Sequence, residues 1–361
     1  MKKFLKPSAN WLFLFIPISI LLERTHASAP LIFFSAALSI IPIAKLIVHA
    51  TEQLATYTGD AIGGLLNATF GNLPELIISI VALKAGLYTM VLASLIGAIL
   101  ANLLLALGLA FFIGGIKFHV QEYNAVSARI YGSMMMIAVI SMMVPSSFAN
   151  LFGGQDVLRQ EGLLNIGLSI VLLLGYCLYL FFMIKTHPEF FKSAKVEEDE
   201  EHEGRWSKSR SIITLIGASV LAAFMSEILV GAAEGTGEAL GMSATFIGIV
   251  FLAVIGGAAE SISAITVAKK NKMDLSVGIL LGSCIQITLF IAPILVLASL
   301  IIAPQPLYLS FTKPQLGALF FAVLIGSFVA ADGKSNWYKG IQLIVVYFII
   351  AMLFFFMPEV I

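Results

Sequence analysis

The sequence predicts an all-α polytopic membrane protein of eleven transmembrane helices, one N-terminal helix followed by two inverted five-helix repeats. Three observations predict it. The chain is 59% hydrophobic and only 12% charged, with a mean hydropathy of +0.99, far from the balance of a soluble globular chain. Apolar runs long enough to cross a bilayer, about 20 residues each, recur from end to end. One short interruption of these runs occurs twice, at matching depths in the two halves. Net charge is zero, so nucleic acid and other polyanions find no electrostatic handle.

The chain opens with Lys2, Lys3 and Lys6, an apolar run over 11–22, and Ala27-Ser28-Ala29. That order is signal-like, with small residues at a cleavage position. Glu23, Arg24 and His26 crowd the stretch before the alanines, and residues 1–28 read instead as a short, tilted or peripheral helix. Five spans follow, over 31–54, 59–84, 88–116, 125–144 and 161–184, making a first repeat of 29–184. Residues 185–210 are strongly polar and centre on Glu197-Glu198-Asp199-Glu200-Glu201-His202-Glu203. They lack the Asp/Asn-Gly spacing of a calcium loop and read as a solvated cytoplasmic linker, with weak recruitment or sensing of a divalent cation as the alternative. Spans over 212–239, 243–268, 275–302, 316–331 and 338–357 make the second repeat, 211–361. The five His and two Cys fall at no metal-ligand spacing, and Cys177 and Cys284 read as small core residues within apolar runs.

Basic residues orient this array. With the N-terminus inside, the cytoplasmic segments hold sixteen Lys and Arg and the external ones four, with Lys45 left inside a span. The positive-inside rule favours that arrangement. Five spans, an odd number, separate the repeats, so the halves run in opposite directions. Lys84 outside and Lys269 inside mark the inversion.

The interruption is Gly71-Asn72-Leu73-Pro74-Glu75 in the third span and Gly256-Gly257-Ala258-Ala259-Glu260 in the eighth. The offset is 260 − 75 = 185, and the same offset carries Ile62, Gly63, Lys84, Leu95 and Gly97 onto Ile247, Gly248, Lys269, Leu280 and Gly282. Glycine and proline break a helix, and lipid offers the freed backbone groups no partner. Interrupted helices at matching places in two halves point to a transporter's binding site. Glu75 and Glu260 are therefore the candidate cation- and proton-binding groups, with Asn72, Gly71, Gly256 and Gly257 beside them. The fold expectation is that inversion brings both carboxylates together near mid-bilayer. The next span of each half adds Asn102, Ser283 and Gln286 as supporting oxygens. Glu227 and Glu234, seven apart on one face of the seventh span, are candidates for a cation access path. Lys45 can pair with Glu52 two turns along its helix.

Two carboxylates with amide and carbonyl oxygens make a hard site. Calcium takes about 6–8 oxygens in irregular geometry, and two negative charges neutralise a divalent ion. Soft-metal ligands at suitable spacing are missing, while magnesium and manganese stay open on these grounds.

The two motifs resemble those of the calcium/proton exchangers, within the cation/calcium exchanger superfamily. The likeness extends over almost the whole chain. It implies a secondary active antiporter in which Glu75 and Glu260 bind calcium and exchange it for protons, with Asn72 and the polar positions Asn102, Ser283 and Gln286 assisting. Gly257 stands where that family commonly has Asn, so a backbone carbonyl or water takes the place of one side-chain ligand. The sodium/calcium branch usually shows Ser-rich motifs and an Asp in the second repeat. Two Glu therefore favour protons over sodium. Competing readings are a sodium-coupled divalent exchanger, a divalent cation channel and an intramembrane enzyme. Channels place acids in symmetric rings, and no nucleophile–base pair accompanies the carboxylates, so no enzyme and no resident cofactor is expected. The expected partners are Ca2+, H+ and the lipid bilayer, at the plasma membrane with the N-terminus cytoplasmic. A homo-oligomer is left open.

Overall fold

Proline and small polar residues start the helices where the sequence places them. In this computed structural model, residues 9–58, 66, 69–151, 155–188 and 206–357 are described. Helix α1 is Phe15–Arg24, led in by a 3-10 turn over Ala9–Leu14. Then come α2 (Ala29–Ala55), α3 (Leu73–Lys84), α4 (Tyr88–Phe118), α5 (Ala125–Leu151) and α6 (Gln160–Thr186). The second half holds α7 (Lys208–Leu240), α8 (Ala244–Gly256), α9 (Ala258–Ala268), α10 (Met273–Ile302), α11 (Lys313–Ala330) and α12 (Trp337–Phe356). Pro30, Pro74 and Pro314 each sit in the first turn of a helix, where the missing N–H costs nothing. Thr312 and Gln315 close a reciprocal capping box on α11.

Among the described residues, eight helices are long and apolar enough to cross a membrane, nine when α8 and α9 count as one bent span. Of the other two expected spans, 11–22 is the 3-10 turn and ten-residue α1, whose Ser19 is fully buried. The span over 59–84 is described from Thr69 onward, apart from Leu66, and its earlier residues lie outside the described set. So does the acidic centre at 197–203.

Helix α4 is the centre of the bundle: 78% of its apolar window is buried, against 28% in α6 and in α12, which present Leu163, Leu178, Phe348 and Phe356 outward. Its close neighbour is α8. A Cβ added at Gly97 would fall 2.2 Å from the Ile249 carbonyl oxygen and 2.5 Å from its Cα. One at Gly248 would fall 2.7 Å from the Ala93 Cβ. Only glycine permits this backbone approach, as in other small-residue membrane contacts. Gly97→Ala is expected to cost about 1–3 kcal/mol by overpacking, read as a lowered thermal midpoint in detergent; an unchanged midpoint would refute so close a crossing.

The halves keep a common register in their local geometry. Asn72 and Gly257, 185 apart, precede α3 and α9 with closely similar dihedrals. Gly86 (φ +79) and Asn271 (φ +60), also 185 apart, make the following turns with left-handed backbone. Tyr88 and Met273 then start α4 and α10. Both long helices widen into π-helical turns at matching depth, Ala101–Ala106 and Ile287–Ile291.

One end of the molecule carries Lys117, Lys269, Lys272 and Lys334; it is called the basic end. There the all-helical expectation gains a small exception: β1 (Val120–Glu122) pairs antiparallel with β2 (Lys334–Asn336). Two segments leaving helix ends side by side have unpaired backbone groups that pair with each other. Gln121 Nε2 donates to the Ala268 carbonyl at 3.0 Å and to Asn271 Oδ1 at 2.9 Å, tying this two-stranded ribbon to the α9–α10 turn. Nearby, desolvation works against the Asp332 charge, yet hydrogen bonds from Lys339 and the Lys334 N–H hold its carboxyl below the usual range.

Candidate cation site

The two helix breaks place their carboxylates alike. Glu75 and Glu260 are each the third residue of their helix, α3 and α9. Negative charge there faces the positive end of the helix dipole. Between α8 and α9 the axis bends by 56° at Gly257. The halves meet at this point: a Cβ at Gly256 would come 2.8 Å from the Glu75 Cγ, so the second break is pressed against the first carboxylate.

Both carboxylates are buried, Glu75 at 7% and Glu260 at 6% exposure, and none of their four oxygens has a hydrogen-bond partner. Next to them lies a self-contained amide network. Asn102 Nδ2 donates to Ser283 Oγ at 3.1 Å, Ser283 Oγ donates to Asn72 Oδ1 at 2.5 Å, and Asn72 Nδ2 donates to Gln286 Oε1. Asn102 Oδ1 is left over, buried and unpartnered. It lies 3.5 Å from where a Cβ at Gly257 would stand, the same distance as Glu75 Oε1. The network therefore turns the Asn72 and Asn102 amide donors and the Ser283 hydroxyl inward and leaves Asn102 Oδ1 as an acceptor beside the carboxylates. An unpaired buried acceptor costs about 1–3 kcal/mol, and five in one region call for a cation or for protons. Among the described residues no group of three or more His, Cys, Asp or Glu converges, so a cation here would rely on two acids plus neutral oxygens.

Asn72 and the first π turn, which contains Asn102, are positioned by local chain features. Asn72 precedes Leu73-Pro74, where the chain cannot donate from the proline nitrogen. The π turn adds a residue to the helical repeat and re-aims Asn102, a geometry common at functional sites.

Two openings reach this region unequally. A cleft of about 400 Å³ is lined by Asp274, Met183 and Tyr179 near the basic end and by Glu260, Asn72 and Gln286 at its floor. On the Glu75 side lies a void of about 10 Å³, lined by Ser79, Ser94, Leu95, Ala98 and Leu252 among others. The sequence reading missed Asp274, Tyr131, Tyr179, Ser79 and Ser263. For the serines a signal existed: Ser79 is four residues after Glu75 and Ser263 three after Glu260, on the carboxylate faces of their helices.

The expected access residues separate. Glu234 lines a different cleft, about 800 Å³, with Glu238, Ser243, Met90 and Phe355. Glu227 is exposed on the outward stripe of α7 with Ile216, Val220 and Phe224, and lines neither cleft. The partner of Glu52 is His49, one turn away at 3.7 Å, rather than Lys45.

The sodium/calcium exchanger protein family matches residues 28–185 and 210–356, nearly all of both halves. A Ca2+/H+ antiporter of Aphanothece halophytica is 40% identical over 97% of this chain and 96% of its own length. The Ca2+/H+ antiporter ChaA of Bacillus subtilis is 42% identical over 94% of this chain and 96% of its own. The chain belongs to the Ca2+/H+ antiporter family. Among solved structures, native YfkE superposes with a TM-score of 0.81 at 39% identity, covering 96% of this chain and all of that one. This antiporter family lies within the sodium/calcium exchanger superfamily, which is a family of transporters and not of enzymes. The chain is accordingly an integral, multi-pass helical membrane protein.

Proposed function

We propose that this member of the family exports cytoplasmic Ca2+ in exchange for external H+ by alternating access, with Glu75 and Glu260 binding either the ion or protons. The observation that carries the reading is the set of five buried, unpartnered acceptor oxygens on Glu75, Glu260 and Asn102. Two carboxylates neutralise one divalent ion, and in its absence two protons neutralise them. Asn72, Ser283 and Gln286 hold Asn102 and the first break in place, Gly256 lets the second break press against Glu75, and Gly71 and Gly257 leave backbone rather than side chain beside the carboxylates. The 40% and 42% identical relatives are themselves Ca2+/H+ antiporters, which favours protons over sodium as coupling ion.

Eleven helices, an N-terminal one plus inverted repeats over 29–184 and 211–361, account for the shared 185-residue register of breaks, turns and π segments. The basic end is then cytoplasmic by the positive-inside rule, and bacterial relatives suggest the plasma membrane. The cleft from that end to Glu260 fits an inward-open state, with the Glu75 side closed. Glu234 belongs to the external mouth.

The test is Ca2+ flux with simultaneous internal pH recording in proteoliposomes. Flux driven by a proton gradient alone, with counter-movement of protons, is the expected result. Flux that needs sodium and moves no protons would overturn it in favour of the sodium-coupled reading, and flux with no counter-ion in favour of a channel. Residues 185–210 act as a linker in this scheme. Neutralising the acids of 197–203 should leave transport at saturating Ca2+ unchanged, and its complete loss in an inserted protein would show otherwise.

A further inference from the structure

Lys45 is a charge that the exchange cycle leaves unused. It stands inside the apolar run of α2, between Ile43-Ala44 and Leu46-Ile47, and is exposed on the outer surface. An ionisable residue in a membrane span is costly and marks a function. Glu52, its partner by spacing, faces His49 instead.

The packing of α2 against α7 gives Lys45 a neighbour. Toward one end of the pair, a Cβ at Gly235 would come 3.0 Å from the Ala29 Cβ. At the other, the His49 and Trp206 rings meet edge-on at 4.8 Å, and Trp206 N donates to Gln53 Oε1 at 3.0 Å. The two helices therefore run antiparallel. Lys45 is four residues before His49 on the same face of α2, and Arg210 is four residues after Trp206. Counted inward from the one ring contact, the two cations stand at the same depth. Arg210 is exposed, and its guanidinium lies over the Trp206 ring, with Cζ 4.2 Å from the centroid. Four residues of helix rise about 6 Å, which the Lys45 stem spans by snorkelling back toward Trp206.

Among the described residues, no carboxylate lies within ion-pair distance of either cation. Two positive groups at the edge of the hydrocarbon oppose one another unless an anion joins them. Tryptophan marks the headgroup level, where the available anion is a lipid phosphate. A guanidinium lying over an indole keeps edge N–H groups for bidentate phosphate binding. One and two turns further along α7, Ile213 and Ile216 are 70% and 60% exposed and offer apolar surface to an acyl chain.

We infer that Lys45 and Arg210, beside Trp206, bind the phosphate of an anionic phospholipid. A lipid of net negative charge suits two cations, whereas the cationic end of a zwitterionic headgroup is repelled. Val48 and Glu52, on the same stretch of α2, line the cleft that leads to Glu260, so the bound lipid braces the outer side of that cleft wall.

The test is the thermal midpoint of the full chain in detergent as phosphatidylglycerol is titrated, with phosphatidylcholine as the neutral lipid and inorganic phosphate as the free anion. Phosphatidylglycerol is expected to raise the midpoint, and the other two to leave it unmoved. Each basic residue at a leaflet surface contributes about fivefold in affinity. Lys45→Gln and Arg210→Gln should each need about fivefold more phosphatidylglycerol for half the rise, while Lys270→Gln, at an exposed cation in the turn before α10, should match wild type. No rise in wild type, an unchanged titration in both site variants, or an equal loss in Lys270→Gln would overturn the site. A rise with inorganic phosphate would show an anion site and not a lipid one. Lys45→Gln should exchange Ca2+ like wild type in phosphatidylcholine vesicles, and a loss there would place Lys45 in the transport path instead. Should Lys45→Gln fail to insert, Arg210→Gln decides alone. Failure of the lipid site would leave the Ca2+/H+ reading untouched, because neither cation lines the clefts described above.

Discussion

Glu75→Gln and Glu260→Gln should each abolish calcium exchange while leaving a folded, membrane-inserted protein. Each carboxylate is buried with both oxygens unpartnered, so its charge has no counterpart other than what the site binds. Removing one partner from a buried charge pairing costs about 3–5 kcal/mol, roughly a hundredfold or more in affinity. A neutral amide also cannot carry the exchanged proton, so the return step of the cycle is lost with the forward one. The fold itself should tolerate the change, because Gln has the shape of Glu and no protein hydrogen bond is broken. Glu75→Asp and Glu260→Asp keep the charge but withdraw it by one methylene, and they should retain weakened exchange. The measurement is Ca2+ uptake in proteoliposomes, with size-exclusion behaviour in detergent as the control for folding. Robust uptake in either Gln variant would remove that carboxylate from the mechanism.

What the sequence made legible was whatever repeats or breaks a period. The two glycine-carboxylate interruptions stood out because a bilayer-spanning run tolerates neither glycine, proline nor charge without cause. Their register predicted helix breaks at Asn72 and Gly257, and the helices do break there. Asn102, Ser283 and Gln286 were legible by their place one helix later. Their linkage through Asn72 was not, since it depends on side chains 181 to 214 residues apart meeting across α3, α4 and α10. The π turns are a backbone property with no compositional mark. Asp274 and Tyr179 were missed because a cleft wall is defined by how helices splay. Glu227 shows the opposite failing. Its seven-residue spacing from Glu234 predicts a shared face only for an unbroken helix, but the helix is interrupted at Ala232, and Glu227 points outward while Glu234 lines a cleft.

Acidification should expel calcium steeply. In the proposed cycle Ca2+ binds when both carboxylates are ionised, and protons bind the same four oxygens. Falling pH therefore fills the site with protons and weakens Ca2+, while rising pH does the reverse. If two protons are released for each Ca2+ bound, linkage makes the apparent Kd change by up to about a hundredfold per pH unit over the range where the pair titrates, and by about tenfold if only one is released. The empty, doubly ionised pair is the state that burial and mutual repulsion both oppose. The protein should accordingly cross between its two faces carrying Ca2+ or protons, and rarely carrying neither. Coupling follows from that exclusion without a separate gate. Two measurements check it. Equilibrium Ca2+ binding across a pH series gives the slope, and Ca2+-loaded vesicles without a pH gradient or external Ca2+ report the leak. A pH-independent Kd, or efflux from such vesicles as fast as proton-driven exchange, would show that Ca2+ and H+ do not compete for Glu75 and Glu260.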